Sequence, residues 1–153
     1  LQKGVFVNIF EIVIFLFIIV QQPPKDSLWV SSQTDAVTHW EYVEQYGAYG
    51  LLAHDYLAGD YFYHLRQGDE LYADGYNYTV TDIRYYDGSV TDEVIFNEVY
   101  ITPDRLVLQT CWGDGYMFII GEHTGEYNAI YDDELAFVKD ADWSMMFEFM
   151  MEE

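Results

Sequence analysis

The sequence predicts an all-β domain, a barrel or a sandwich, and three observations predict it. Short apolar runs recur between turn residues, several of them with the two-residue alternation of a strand. Aromatic residues make up 19% of the chain, with 15 Tyr and 10 Phe, the side chains that favour strands and bury large areas. Helical periodicity is confined to short stretches, and no internal repeat is present.

At 153 residues the chain has room for one domain, and an apolar share of 51% supplies a sizeable core. The net charge of −21, from 27 acidic and 6 basic side chains, repels phosphate backbones and argues against any nucleic-acid partner. Such a surface suits a solvated or saline exterior, or a cationic partner.

The elements follow in order. Residues 1–20 predict an N-terminal hydrophobic helix, a transmembrane or signal-anchor segment. Its fourteen strongly apolar residues between Gly4 and Val20 favour insertion by about 0.3–0.6 kcal/mol each, against about 2.5–3.5 kcal/mol for Glu11 near the centre. No small-residue cleavage site lies near Val20-Gln21-Gln22-Pro23-Pro24, so a retained anchor is expected. Lys3 before the span puts the N-terminus inside the cell and the remainder outside. Residues 21–46 read as a linker and lead-in segment, with Pro23-Pro24 as punctuation and 36–45 compatible with a short helix. Residues 47–139 carry the barrel. Within them 51–54 reads as a short strand ending at His54, 59–65 as one or two helical turns, and 70–72 and 76–86 as strands. Asp87-Gly88 has hairpin chemistry, and 94–101 reads as a strand or short helix. Residues 106–111 and 116–121 are strands around Gly113-Asp114-Gly115. Residues 140–153 form an acidic, Met-rich tail compatible with a terminal helix.

Cys111 is the only cysteine, so it has no internal disulfide partner and is a poor start for a metal site. Leu106, Leu108 and Thr110 share one face of its strand; Val107, Gln109 and Cys111 share the other. With the leucines inward, the thiol points away from the core at a strand end. A buried, inert thiol and a nucleophile both remain open from spacing alone. A nucleophilic thiol needs a base, and His39, His54, His64 and His123 are the candidates.

A set of motifs then resembles one family in order and spacing. It runs Leu52-Ala53-His54-Asp55-Tyr56-Leu57-Ala58-Gly59, then Phe62, Leu65, Gly68-Asp69 and Tyr78-Thr79-Val80, then Asp104-Arg105-Leu106-Val107-Leu108-Gln109-Thr110-Cys111. This resembles the sortases, whose nucleophile closes a Thr-Leu-x-Thr-Cys strand end. Here Val107 replaces the first Thr, while Leu108, Thr110 and Cys111 match. The resemblance implies a closed, eight-stranded sortase-like β-barrel with short helices on the outer face of a cell membrane. It also implies a single-pass anchor and a cysteine transpeptidase. Such an enzyme cleaves a sorting-signal peptide of a secreted protein, holds the acyl group as a thioester, and passes it to an amine nucleophile at the cell surface. Cys111 then corresponds to the nucleophile, and His54 to the group that protonates the leaving amine and deprotonates the incoming one.

The chain departs from the family at one point. Sortases carry an arginine on the strand after the cysteine; this sequence has none after Arg105, and Tyr116 stands in its place. A phenol donates one hydrogen bond and carries no charge. Tyr116, Thr110 and Arg105 are the remaining candidates to bind substrate or an oxyanion, with Arg105 six residues from Cys111, about 20 Å along an extended strand, and so a poor substitute. A sortase barrel that binds without catalysing, and an unrelated secreted β-protein with a buried cysteine, are the rival readings. No cofactor is expected: zinc spacing and phosphate or dinucleotide loops are absent, and Asp140-Ala141-Asp142-Trp143-Ser144 meets Met145 where a calcium loop needs Gly. Loose calcium binding by scattered carboxylates is the one metal interaction left open.

Overall fold

Two tight turns and one long parallel pairing organise the sheet. In the computed structural model, residues 14–23, 29–123 and 134–139 are described. The strands are β1 (Ile14–Gln21), β2 (Ala36–His39), β3 (Ala48–Leu52), β4 (Glu70–Ala73), β5 (Tyr76–Tyr86), β6 (Arg105–Trp112), β7 (Gly115–His123) and β8 (Glu134–Lys139). A 3₁₀ turn (Glu41–Tyr46) precedes β3, and the short helix α1 (Gly59–Phe62) follows it. Helix α2 (Asp92–Ile95) runs on into a π-helical turn (Phe96–Tyr100) ahead of β6. Around the sheet the order is β1-β2-β3-β6-β7-β5-β4-β8, and β8 pairs back onto β1, so the sheet curls closed. The β1–β2 and β3–β6 pairs are parallel; the rest are antiparallel.

Turn chemistry explains the hairpins. Gly113 has φ 58° and Asp114 has no positive φ, so Trp112 and Gly115 are joined by a two-residue turn with glycine first, the type II′ pattern. The β4–β5 hairpin closes on Asp74-Gly75, with φ 50° and 76°, rather than on Asp87-Gly88, which lies between β5 and α2. Thr91 caps α2 by accepting from the Val94 N–H at 3.3 Å.

Two apolar layers sandwich β6 and β7. Inside the barrel Leu106, Leu108, Met117 and Ile119 pack with Leu51, Phe62 and Leu71. Outside, Val107, Phe118 and Ile120 pack with Val43, Val99 and Tyr100, beneath the 3₁₀ turn and the π-helical turn. This explains the near-continuous apolar runs of both strands: each face has its own cover. In β5 the register to β7 shifts between Val80 and Asp82. The bulge at Thr81 lets Tyr78 and Val80 before it, and Ile83 after it, all face the same inner core.

The sheet takes in more chain than the 47–139 segment expected from sequence. Residues 14–20, expected within an anchor helix, lie in β1, hydrogen-bonded between β2 and β8. The run Ile14-Phe15-Leu16-Phe17-Ile18-Ile19-Val20 has no alternation, so its apolarity fits strand and helix alike, and its β-branched and aromatic content suits the strand. Residues 36–45 hold β2 and most of the 3₁₀ turn instead of a helix, and β2 belongs to the sheet rather than to a linker. Residues 94–101 resolve to helix. The expected helical stretch at 1–13 and the tail at 140–153 lie outside the described residues. Among the described residues no helix is long and apolar enough to cross a membrane.

Leu108 is fully buried at the centre of the inner layer. Leu108→Ala is expected to lower stability by about 2–5 kcal/mol, read as a reduced denaturant midpoint with an unchanged slope.

Candidate active site

The site is built by the parallel pair β3–β6. Leu51 lies beside Leu108 and Leu52 beside Gln109. The ladder continues past the end of β3: the Ala53 N–H donates to the Gln109 carbonyl at 3.1 Å, and the Thr110 hydroxyl donates to the Ala53 carbonyl at 2.7 Å. His54 follows Ala53 and Cys111 follows Thr110, so the two candidate residues lie at the same end of the β3–β6 pair. Leu51 and Ala53 belong to the inner core with Leu108, so Leu52 shares the outer face with Gln109, and His54 opens the turn beyond the strand.

After His54 the chain turns sharply into α1. The His54 carbonyl accepts from the Leu57 N–H at 3.1 Å and from the Gly59 N–H at 2.9 Å. Gly59 is needed here, because a Cβ would collide with the Thr110 hydroxyl and the His54 carbonyl. The half-buried His54 ring stacks on Tyr56, centroids 5.1 Å apart and planes at 22°.

Cys111 is an exposed free thiol at the end of β6, one residue before the tight turn. Burial of part of the group and then the Asp55 carboxylate push its pKa above the ordinary thiol value. Its own carbonyl accepts from the Tyr63 hydroxyl at 2.6 Å. Burial first, then the charges of Asp55, Cys111 and Asp60, raise the pKa of that phenol above its ordinary value. Tyr63 also meets Trp112 edge-on at 5.3 Å, and Trp112 meets Tyr85 at 4.8 Å, so an aromatic rim borders the thiol.

The other candidate residues separate. Tyr116 is directly across from Cys111 on β7, on the outer face, where its half-buried ring flanks the second core layer. Thr110 is 2% exposed and faces inward. Its hydroxyl is spent on the Ala53 carbonyl, so it positions the His54 turn rather than meeting substrate. Arg105 is at the opposite end of β6, beside Ala48 and Glu122, about 20 Å along the strand from the thiol. Its guanidinium donates to the carbonyls of Val99 at 2.9 Å and Glu98 at 3.3 Å, which removes it from any role at Cys111. Arg84 also donates to the Glu98 carbonyl, at 2.5 Å, and to Asp82 at 2.7 Å. The backbone N–H of Arg66 is held by Asp69 in a turn.

Among the remaining histidines, His39 is buried on Tyr49, with Nε2 3.1 Å from Glu44, and burial lowers its pKa. His123 packs on Tyr76 and Tyr78 at the other end of the barrel. That end holds a cavity of about 410 Å³ bordered by Glu44, Asp74 and Asp104; a cavity of about 390 Å³ adjoins the His54 turn. Among the described residues no group of three or more His, Cys, Asp or Glu side chains is arranged to hold a metal ion.

Sequence reasoning missed Asp55 and Tyr63. Asp55 was visible as the residue after His54, but its proximity to the thiol depends on the β3–β6 pairing. Tyr63 is one of 15 tyrosines and carries no signal of its own.

Thr110→Val keeps the side-chain shape but strands the Ala53 carbonyl; a loss of about 1–3 kcal/mol is expected in denaturant unfolding. Alkylation of Cys111 by iodoacetamide is expected to rise with pH to a midpoint above that of a free thiol. Asp55→Asn, by removing a negative charge beside the thiolate, is expected to shift that midpoint down. An unmoved midpoint would show that Asp55 does not act on the sulfur.

No protein-family model and no curated protein matches this sequence. Solved structures do. Sortase A of Listeria monocytogenes superimposes with a TM-score of 0.52 at 16% identity, covering 79% of this chain and 97% of that one. Sortase C1 of Streptococcus agalactiae superimposes with a TM-score of 0.51 at 14% identity, covering 80% of this chain and 74% of that one. At such identities the likeness speaks for architecture, and the conclusion is that this chain has a sortase-like all-β fold: a curled sheet with a few short helices.

Proposed function

We propose that the chain is a sortase-type cysteine transpeptidase that cleaves a sorting-signal peptide of a secreted protein through a thioester on Cys111. The observation that carries this reading is the β3–β6 pairing, extended by the Ala53 and Thr110 hydrogen bonds, which carries the chain segments bearing His54 and Cys111 toward one end of the sheet. An exposed thiol ends β6, and a half-buried imidazole opens the turn just after β3. The sortase-like fold supports it from a separate direction.

On this reading the Cys111 sulfur attacks the scissile carbonyl. The C–S bond forms, the C–N bond breaks, and the leaving amine takes a proton from His54. An incoming amine then returns a proton to His54 as it displaces the sulfur. The Cys111 thiol proton passes to His54 as attack begins, in keeping with burial and Asp55 favouring the neutral thiol, and it is this proton that the leaving amine takes. Tyr116, across from the thiol, is the side chain available to donate to the oxyanion. A missing oxyanion donor costs about 10²–10³ in rate in enzymes where it has been removed, so slow turnover is expected without an arginine. An extracellular location at a membrane is part of the proposal and rests on the family resemblance. Attachment does not run through residues 14–20, which the sheet uses.

The test is acylation with p-nitrophenyl acetate, followed by mass spectrometry. An acetyl adduct on Cys111 is expected, with His54→Ala slowing its formation and breakdown by about 10²–10⁴. A Cys111 that iodoacetamide labels but the ester never acylates, or acylation indifferent to His54→Ala, would reduce the molecule to a binding barrel.

A further inference from the structure

We propose that Tyr63 is a positioning residue for acyl transfer: its hydroxyl, bonded to the Cys111 carbonyl, fixes the thiol-bearing end of β6 against the chain segment that begins at His54. The inference rests on the transpeptidase reading and adds to it the side chain that holds the nucleophile in place.

The register of the sheet explains why Cys111 needs such a partner. Trp112 and Gly115 flank the two-residue turn and form its hydrogen-bonded pair, so the next pair, Cys111 and Tyr116, is of the non-hydrogen-bonded kind. The peptide groups of Cys111 therefore point away from β7, toward the side of β3. Gln109, two residues earlier, has the same parity, and its carbonyl accepts from the Ala53 N–H at 3.1 Å. In a parallel ladder the next such rung joins the Cys111 carbonyl to the N–H of Asp55. At that point the chain has turned away toward α1, closed by the bonds from Leu57 and Gly59 to the His54 carbonyl. The Tyr63 hydroxyl takes the place of that rung, at 2.6 Å.

Tyr63 is itself held. Its ring packs against the inner core and meets Trp112 edge-on at 5.3 Å, and its N–H donates to the Asp60 carbonyl at 3.2 Å. It also ends the compact run that His54 opens, so phenol and imidazole belong to one short, internally bonded segment. Asp55, next to His54, acts on both the phenol and the thiol, which gathers the three groups at this end of the barrel. The hydroxyl acts through the backbone of Cys111. Without it β6 keeps its hairpin to β7 and the Thr110 bond, but the residue that bears the sulfur loses its tie to the His54 segment. In an oriented reaction a shift of about 1 Å is enough to lower the rate about 10²-fold.

Tyr63→Phe tests this, because it keeps the ring and removes only the hydroxyl. Acetylation of Cys111 by p-nitrophenyl acetate is expected to slow by about 10–10²-fold in this variant. Alkylation by iodoacetamide, at a pH above the thiol midpoint where the thiolate needs no base, is expected to keep its wild-type rate. In the His54→Ala background Tyr63→Phe is expected to slow acetylation no further, since there is no imidazole left to be placed against. Equal slowing with and without His54, or slowing of alkylation as well, reduces Tyr63 to a structural contact and overturns the inference. Acetylation that depends on His54 but proceeds at the wild-type rate in Tyr63→Phe overturns this inference alone. A wild-type protein that is never acetylated, or is acetylated regardless of His54, removes the transpeptidase reading and the positioning role together.

Discussion

One buried hydrogen bond holds the candidate site together: the Thr110 hydroxyl on the Ala53 carbonyl. The parallel pair β3–β6 needs a long crossover, so His54 and Cys111 are distant in sequence and only the ladder carries them to the same end of the sheet. The ladder ends formally at Leu52, and the Thr110 bond carries it one residue further, to the point where the imidazole begins. Gly59 completes the device by letting the turn after His54 close against that same hydroxyl. Thr110 therefore has to face inward, and strand alternation then obliges Cys111 to face outward.

The second apolar layer decides what that outward thiol meets. Along β6 the outer face is fully covered at Val107, half-covered at Gln109, and open at Cys111. Tyr100 donates to the Gln109 side chain at 2.5 Å, a polar contact on the covered side of the thiol. At the opposite end Arg84 and Arg105 both converge on the Glu98 carbonyl and bind the helical cover to the sheet. Two of the chain's few basic residues are thus used structurally, and among the described residues Asp55 is the charge that acts on the thiol.

Legibility in the sequence followed the range of the interactions. Strands β6 and β7 and the short turn between them were readable, because alternation, apolar runs and Gly113-Asp114 are local signals. The outward face of Cys111 was readable for the same reason. The β1 segment was misread as helix because an unbroken apolar run specifies burial and not period; the partners that make it a strand, β2 and β8, are remote or short. The Thr81 bulge in β5 has no sequence signature, yet without it Ile83 would turn to the opposite face. Residues near the thiol by folding alone, Asp55 and Tyr63, were illegible as site residues, and so was the diversion of Arg105 to the π-helical turn.

On the proposed transpeptidase reading, the Asp55 carboxylate changes how the two halves of the transfer are balanced. A negative charge near the sulfur disfavours the thiolate and favours any cation that stands beside it. Before acylation these effects oppose each other, since a thiolate must form while a positive charge develops nearby. After acylation the sulfur is a neutral thioester, and only the favourable half remains, acting on an incoming ammonium. A cationic side chain at the position of Asp55 would lower the thiol pKa, speed acylation and repel that amine. On that reading the same charge opposes entry into the thioester and favours a positively charged acceptor.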